Sequence, residues 1–126
     1  MIETIVKSWL EEQLALPVSA AVPEHPPDQF VVIEKTGGGY ANRLASATLA
    51  VQSYAATTLQ AARLNQRVKA AMHRLPQLPQ ICAAKLNSDY NYPDTARKRP
   101  RYQAVYDLTY YEDVSDPDTG KEATHV

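Results

Sequence analysis

Tyr102-Gln103-Ala104-Val105-Tyr106-Asp107-Leu108-Thr109-Tyr110-Tyr111 alternates without a break. Side chains of an extended chain point in turn to opposite faces. Tyr102, Ala104, Tyr106, Leu108 and Tyr110 therefore share one face, and Gln103, Val105, Asp107, Thr109 and Tyr111 share the other. This is a half-buried strand, on which tyrosine packs its ring and keeps its hydroxyl wet. Something must cover its apolar face, and two segments of the chain have the right pattern.

The first is near the N-terminus. Ile2, Ile5, Val6, Trp9, Leu10 and Leu14 fall on one face of an amphipathic helix, which Pro17 stops. The second is longer. Thr57, Ala61, Leu64, Val68, Ala71, Met72 and Leu75 form one apolar stripe, with Arg63, Lys69, His73 and Arg74 off it and Pro76 and Pro79 behind it. Leu64, Val68 and Leu75 are expected to be buried beside Trp9.

The remaining strands follow from β-branched runs and their boundaries. Val18 to Val22, fenced by Pro17 and Pro23, reads as a short strand. Phe30-Val31-Val32-Ile33-Glu34-Lys35 is the strongest strand of the first half. Thr36-Gly37-Gly38-Gly39 then reads as a hairpin turn with positive φ angles, followed by a strand from Arg43 through Leu49, Val51 and Tyr54. Ile81 to Leu86 reads as a strand and Asn87 to Arg101 as a long polar loop. The order helix-strand-strand-strand-helix-strand-strand predicts a two-layer α+β domain over residues 1–112. Its antiparallel sheet has four or five strands with both helices packed on it. Residues 113–126 are acidic and polar and read as a flexible tail.

At 126 residues, 44% hydrophobic and 21% charged, the chain suits one packed domain and not wholesale disorder. The single cysteine, Cys82, excludes an internal disulfide framework. Met1-Ile2-Glu3-Thr4-Ile5 lacks the basic and apolar regions of a signal peptide. The stretch Leu14 to Val22 is broken by Pro17 and is too short to cross a membrane, so no membrane partner is expected.

The net charge of −1 conceals a segregation. Residues 1–42 carry two basic and six acidic side chains, residues 43–101 carry ten basic and two acidic, and residues 102–126 carry one basic and six acidic. A basic middle between acidic ends fits nucleic-acid contact. It fits self-complementarity better, because that accounts for both signs.

No catalytic, cofactor or metal site emerges. Gly37-Gly38-Gly39 lacks the spacing and the Gly-Lys-Ser or Gly-Lys-Thr ending of a phosphate loop, and it lacks the dinucleotide fingerprint. His25, His73 and His125 have no second ligand at zinc-like spacing. Cys82 is expected to be a buried small residue. The most charged segment is Arg97-Lys98-Arg99-Pro100-Arg101, in a loop that also carries Tyr90 and Tyr92. Arginine beside tyrosine is interface composition, and it also suits stacking on single-stranded nucleic acid. As loop residues these arginines are expected to be replaceable without harm to the fold.

One resemblance joins these elements. Leu49-Ala50-Val51-Gln52-Ser53-Tyr54-Ala55 runs straight into the helix of Ala61, Leu64 and Val68. A strand follows, then a loop with Tyr92-Pro93-Asp94, then a closing strand begun by Arg101-Tyr102-Gln103. Over residues 1–112 this resembles the tail terminator and head–tail joining proteins of long-tailed, siphovirus-type phages and prophages. The resemblance implies a non-enzymatic assembly protein without a cofactor. It would form a ring, a hexamer in that family, on the head-proximal end of the tail tube, where it stops tube growth and meets the head-side connector. DNA would pass through the lumen without sequence-specific contact. The place implied is the virion neck, reached from the host cytoplasm. By the same resemblance, contacts fall on Gly37, Gly38, Gly39, Tyr40 and Arg43, and on Tyr90, Tyr92, Arg97, Lys98, Arg99 and Arg101. Another head-completion or connector protein of the neck is an alternative, as is a nucleic-acid-binding accessory protein. A small enzyme ranks last.

Overall fold

The computed structural model describes residues 1–112, so the acidic segment 113–126 lies outside the described residues. Two α-helices and five strands follow one another as α1 (Ile2–Leu14), β1 (Val18–Ser19), β2 (Phe30–Ala41), β3 (Leu44–Tyr54), α2 (Thr58–His73), β4 (Ile81–Asn91) and β5 (Arg101–Tyr111). The strands form one sheet in the order β1-β2-β3-β5-β4. The architecture is α+β, as the periodicities predict.

Both helices lie on one face. Ile2, Val6, Trp9, Leu10 and Leu14 of α1 are buried, as are Ala61, Leu64, Val68, Ala71 and Met72 of α2. They share a core with Val31, Ile33, Leu49, Val51, Tyr106 and Leu108. The Trp9 indole N–H donates to the Ala71 carbonyl at 2.8 Å, which locks the two helices together. Thr57 caps α2 by accepting from the Gln60 N–H, the ordinary reward for threonine at this position. α1 ends on Ala15 in the left-handed region, and Arg67 donates to the free Leu14 carbonyl beside it at 2.8 Å. Among the described residues no helix is long and apolar enough to cross a membrane.

Four expectations need correction. The sheet is mixed, because β1 pairs parallel with β2 through Val18–Val31 and Ser19–Val32. The proline-rich stretch 20–29 makes the crossover without a helix, and its Val22 packs on Phe30, Val32 and Tyr54. Gly37-Gly38-Gly39 is not the turn. These residues continue β2 opposite Thr48, Ala47 and Ser46, and among the described residues no glycine has positive φ. The turn is Asn42-Arg43, with φ values of 54° and 67°, the geometry a two-residue hairpin requires. β4 does not stop at Leu86 but continues through Asn91, held by its pairing to β5. Finally, Cys82 is exposed, because it lies at a register shift on an edge strand.

Candidate functional site

The helix-free face of the sheet, where Val22 packs on a second cluster of Phe30, Val32 and Tyr54, and the two ends of the sheet hold the residues that sequence and resemblance single out. The register fixes which side chains share that face: Phe30, Val32 and Glu34 from β2, Thr48, Gln52 and Tyr54 from β3, Gln103 and Asp107 from β5, and Lys85 and Tyr90 from β4.

At one end, aromatic rings and guanidinium groups stack in sequence. Phe30 and Tyr54 are parallel at 4.5 Å. Arg99 lies over Phe30 at 5.5 Å, Arg101 over Tyr54 at 5.5 Å and over Tyr92 at 4.2 Å, and Tyr92 meets Tyr90 edge-on at 5.9 Å. The attraction is that of a cation for the negative ring face. Beneath the stack sits Asp94, only 4% exposed. Its carboxylate accepts from the Tyr54 hydroxyl at 2.8 Å, from the Arg97 backbone N–H at 3.1 Å and from the Arg97 guanidinium at 3.2 Å, and it pairs with Arg101 at 3.8 Å. Burial acts to raise the Asp94 pKa. The hydrogen bonds from Tyr54 and Arg97 and the Arg101 charge outweigh it, and the carboxyl is held below its ordinary value of 3.8. For Tyr54, burial and then the Asp94 acceptor keep the phenol protonated above its ordinary value of 10.0, against the opposing pull of Arg101.

This node explains the shape of the β4–β5 connection. Asp94 and Arg99 form a backbone bridge with reciprocal bonds of 3.0 Å, so the connection is a tight continuation of the hairpin. Lys98 takes φ of 55° to close it. The arginines are consequently not free. Arg99 donates to the Pro27 and Asp28 carbonyls at 3.1 and 3.0 Å, tying down the proline-rich segment, and Arg101 donates to the Tyr92 carbonyl at 2.6 Å. The expectation that these positions can be altered without harm to the fold is therefore corrected for Arg99 and Arg101. Arg97, Lys98 and Tyr92 are exposed, and Lys98 lines a shallow cleft with Pro93, Asp94 and Pro100.

Across the middle of the face runs a polar relay. Gln52 donates to Gln103 at 2.8 Å, and Gln103 donates to the Tyr90 hydroxyl at 2.6 Å. Asp107 accepts from Thr48 at 2.9 Å and from Asn87 at 3.0 Å. The far end carries the β2–β3 hairpin, where Gly37, Gly38, Gly39, Tyr40 and Arg43 are all exposed, with Tyr111 alongside on β5. The two groups of expected contact residues thus occupy opposite ends of the sheet. The eleven residues of β3 separate them by about 35 Å at the ordinary strand rise.

On the helix side, burial and then the nearby Asp89 charge push the Tyr106 phenol up to about 12. His73, exposed as its helical position implies, meets that ring edge-on at 5.6 Å. Lys69 pairs with Asp89 at 3.2 Å. Among the described residues no group of three or more histidines, cysteines or acids is placed to hold a metal ion.

Sequence reasoning missed Tyr54, Gln52 and Asp94 as members of this surface. Asp94 left one signal: it is the only acid among the four cations of residues 90–101. No family model matches the chain, and no curated protein matches it.

Proposed function

We propose that this chain is a structural assembly protein of a phage neck, a tail terminator that forms a ring at the head-proximal end of the tail tube, halts tube growth and joins tail to head. The observation that carries the reading is the placement of two unlike exposed surfaces at opposite ends of one sheet. A glycine-tyrosine hairpin stands at one end and an arginine-tyrosine loop at the other. An adaptor between two different axial partners, a tube protein and a head-side connector, needs such a pair. The arginine-tyrosine composition of the loop is that of protein interfaces. The segregation of charge along the chain supports head-to-tail contact between copies, in which different surfaces of identical chains meet. A hexamer and a virion location follow from the family resemblance.

The test is assembly. Tubes grown from the cognate tail-tube protein with this chain present should end at a uniform length, carry a ring at one end and attach to heads. Tubes of unregulated length, or rings that bind elsewhere along the tube, would overturn the reading. The nucleic-acid alternative is separated by salt: phosphate contacts weaken steeply as salt rises, whereas a terminator shows no affinity for a short duplex at any salt.

A further inference from the structure

The two outer strands of the sheet carry complementary free edges. β1 covers β2 only at Val31 and Val32, so among the described residues the edge from Ile33 to Ala41 has no strand partner on that side. β4 is the opposite edge of the sheet. An edge of unpaired N–H and C=O groups is a template for another strand. Direction also fits. β4 runs antiparallel to β5, β5 to β3 and β3 to β2, so β4 is antiparallel to β2. When a sheet is continued by rotation from one copy to the next, β4 of one meets β2 of its neighbour antiparallel, with the helix faces on the same side.

The side chains at the two edges match in this arrangement. Leu86 of β4 is 38% exposed and points to the helix side, as its pairing with Tyr106 fixes. On the helix side of the β2 edge lies a cleft of about 140 Å³, mostly apolar, between Ile33, Ala20, Thr4 and Lys7. Engineered cavities near ~150 Å³ take up benzene, so the cleft has room for a leucine side chain. With Leu86 set opposite Ile33, antiparallel register places Lys85 opposite Glu34, both on the helix-free face. Neither the Glu34 nor the Lys85 side chain has a hydrogen bond or ion pair among the described residues. The register is bounded on both sides. At one end β1 begins to occupy the edge at Val32 and β4 shifts between Leu86 and Ser88, and at the other β4 shifts between Ile81 and Ala83 and β2 between Lys35 and Gly37.

We infer that copies of this chain associate by edge-to-edge strand addition, residues 84–86 of one pairing with residues 33–35 of the next, with Leu86 in the Ile33 cleft and Lys85 on Glu34. The inference rests on the ring reading and specifies its joint. Backbone hydrogen bonds supply the affinity of such a contact and the side-chain pocket its specificity. The interface is heterologous, and it closes when the rotation between copies closes.

Cross-linking tests it directly. In a Cys82→Ser background, Glu34→Cys and Lys85→Cys are made in one chain and separately. Opposite residues in a strand pair have Cβ atoms about 5 Å apart, within reach of a short bis-maleimide. At millimolar protein the double variant should give a ladder of covalent oligomers. The two single variants should give only a mixed dimer when combined. Glu34→Lys and Lys85→Glu should each weaken association severalfold by sedimentation, and the two together should restore it. Leu86→Glu should abolish association while leaving the circular dichroism unchanged. Oligomers that form without the 34–85 cross-link would overturn the joint and leave the ring reading standing. A chain that remains monomeric at millimolar concentration would overturn the joint, while the tube-length assay separately decides the ring reading.

Discussion

The two ends of the sheet are built on opposite principles. At the β4–β5 end a buried carboxylate gathers a phenol and two guanidinium groups, and the loop above it is tied to two other segments of chain, the end of β3 and residues 27–28. At the β2–β3 end every residue from Glu34 to Ala41 is exposed, and the strand is held by its pairing with β3. The residues that look most available in the sequence, the arginines, are largely spent on the fold. The glycines, which look like a turn, are the available edge. Charge in a sequence is therefore poor evidence of a free surface until its partners are counted.

The comparison breaks most visibly at Arg101. Its guanidinium lies 3.8 Å from the Asp94 carboxylate, and replacing it with Glu sets two carboxylates against each other under the aromatic stack. Arg101→Glu should cost about 3–5 kcal/mol in chemical denaturation, the range for leaving a buried charge unpaired. A loss below about 1 kcal/mol would show that solvent reaches the node.

Asp94→Asn removes the charge but keeps the shape, and about 2 kcal/mol should be lost at neutral pH. The sign of the pH dependence follows from the depressed carboxyl. Its stabilisation is fully present above the unfolded value of 3.8 and is lost as pH falls through the lower folded value. The gap between wild type and Asp94→Asn should therefore close in acid. A gap that persists at low pH would mean the carboxylate charge is not what the node uses.

How much of this was legible in the sequence differs by element. Helical stripes and the alternation of residues 102–111 were read to within a few residues, because burial against one layer imposes those periods directly. The β4 extension was not legible. Asn87-Ser88-Asp89-Tyr90-Asn91 has low strand propensity because of its Asn and Asp residues, and its conformation comes from the ladder with β5. The glycine run misled because glycine is the commonest carrier of positive φ, whereas here Asn42 and Arg43 carry it. The internal wiring of the β4–β5 end was not legible, since hydrogen bonds spanning 40 and 47 positions, Tyr54 to Asp94 and Arg101 to Tyr54, leave no local pattern.

At the other end the expected effects are smaller and opposite in sign. Arg43→Gly relieves a left-handed residue that has a Cβ and completes an Asn-Gly turn. It should stabilise the domain by about 1 kcal/mol, and a loss in thermal melting would show that the Arg43 side chain holds the tip. Gly37→Thr tests the edge itself. A Cβ there meets only Thr48 atoms at 3.9 Å, an ordinary contact, so the gain should be about 0.5 kcal/mol from a stiffer unfolded chain and better strand packing. A destabilised Gly37→Thr variant would mean that β2 needs glycine for its irregularity between Lys35 and Gly37.

The strand order has a kinetic consequence. β5 is inserted between β3 and β4, and it is the last strand of the described residues to be synthesised. Its partners on β3 lie 44 to 54 along the chain and on β4 81 to 91, and those two strands do not touch until β5 arrives. A nascent chain can form the β2–β3 hairpin and α2 early, but the sheet waits for residue 111 to leave the ribosome. Pairings at such sequence separation must overcome loop-closure entropy before they return any stability, so this step should set the folding rate. Until then both edges of the β2–β3 hairpin stand open beside those of other nascent copies, and the interval before β5 docks is when the chain is most exposed to premature pairing.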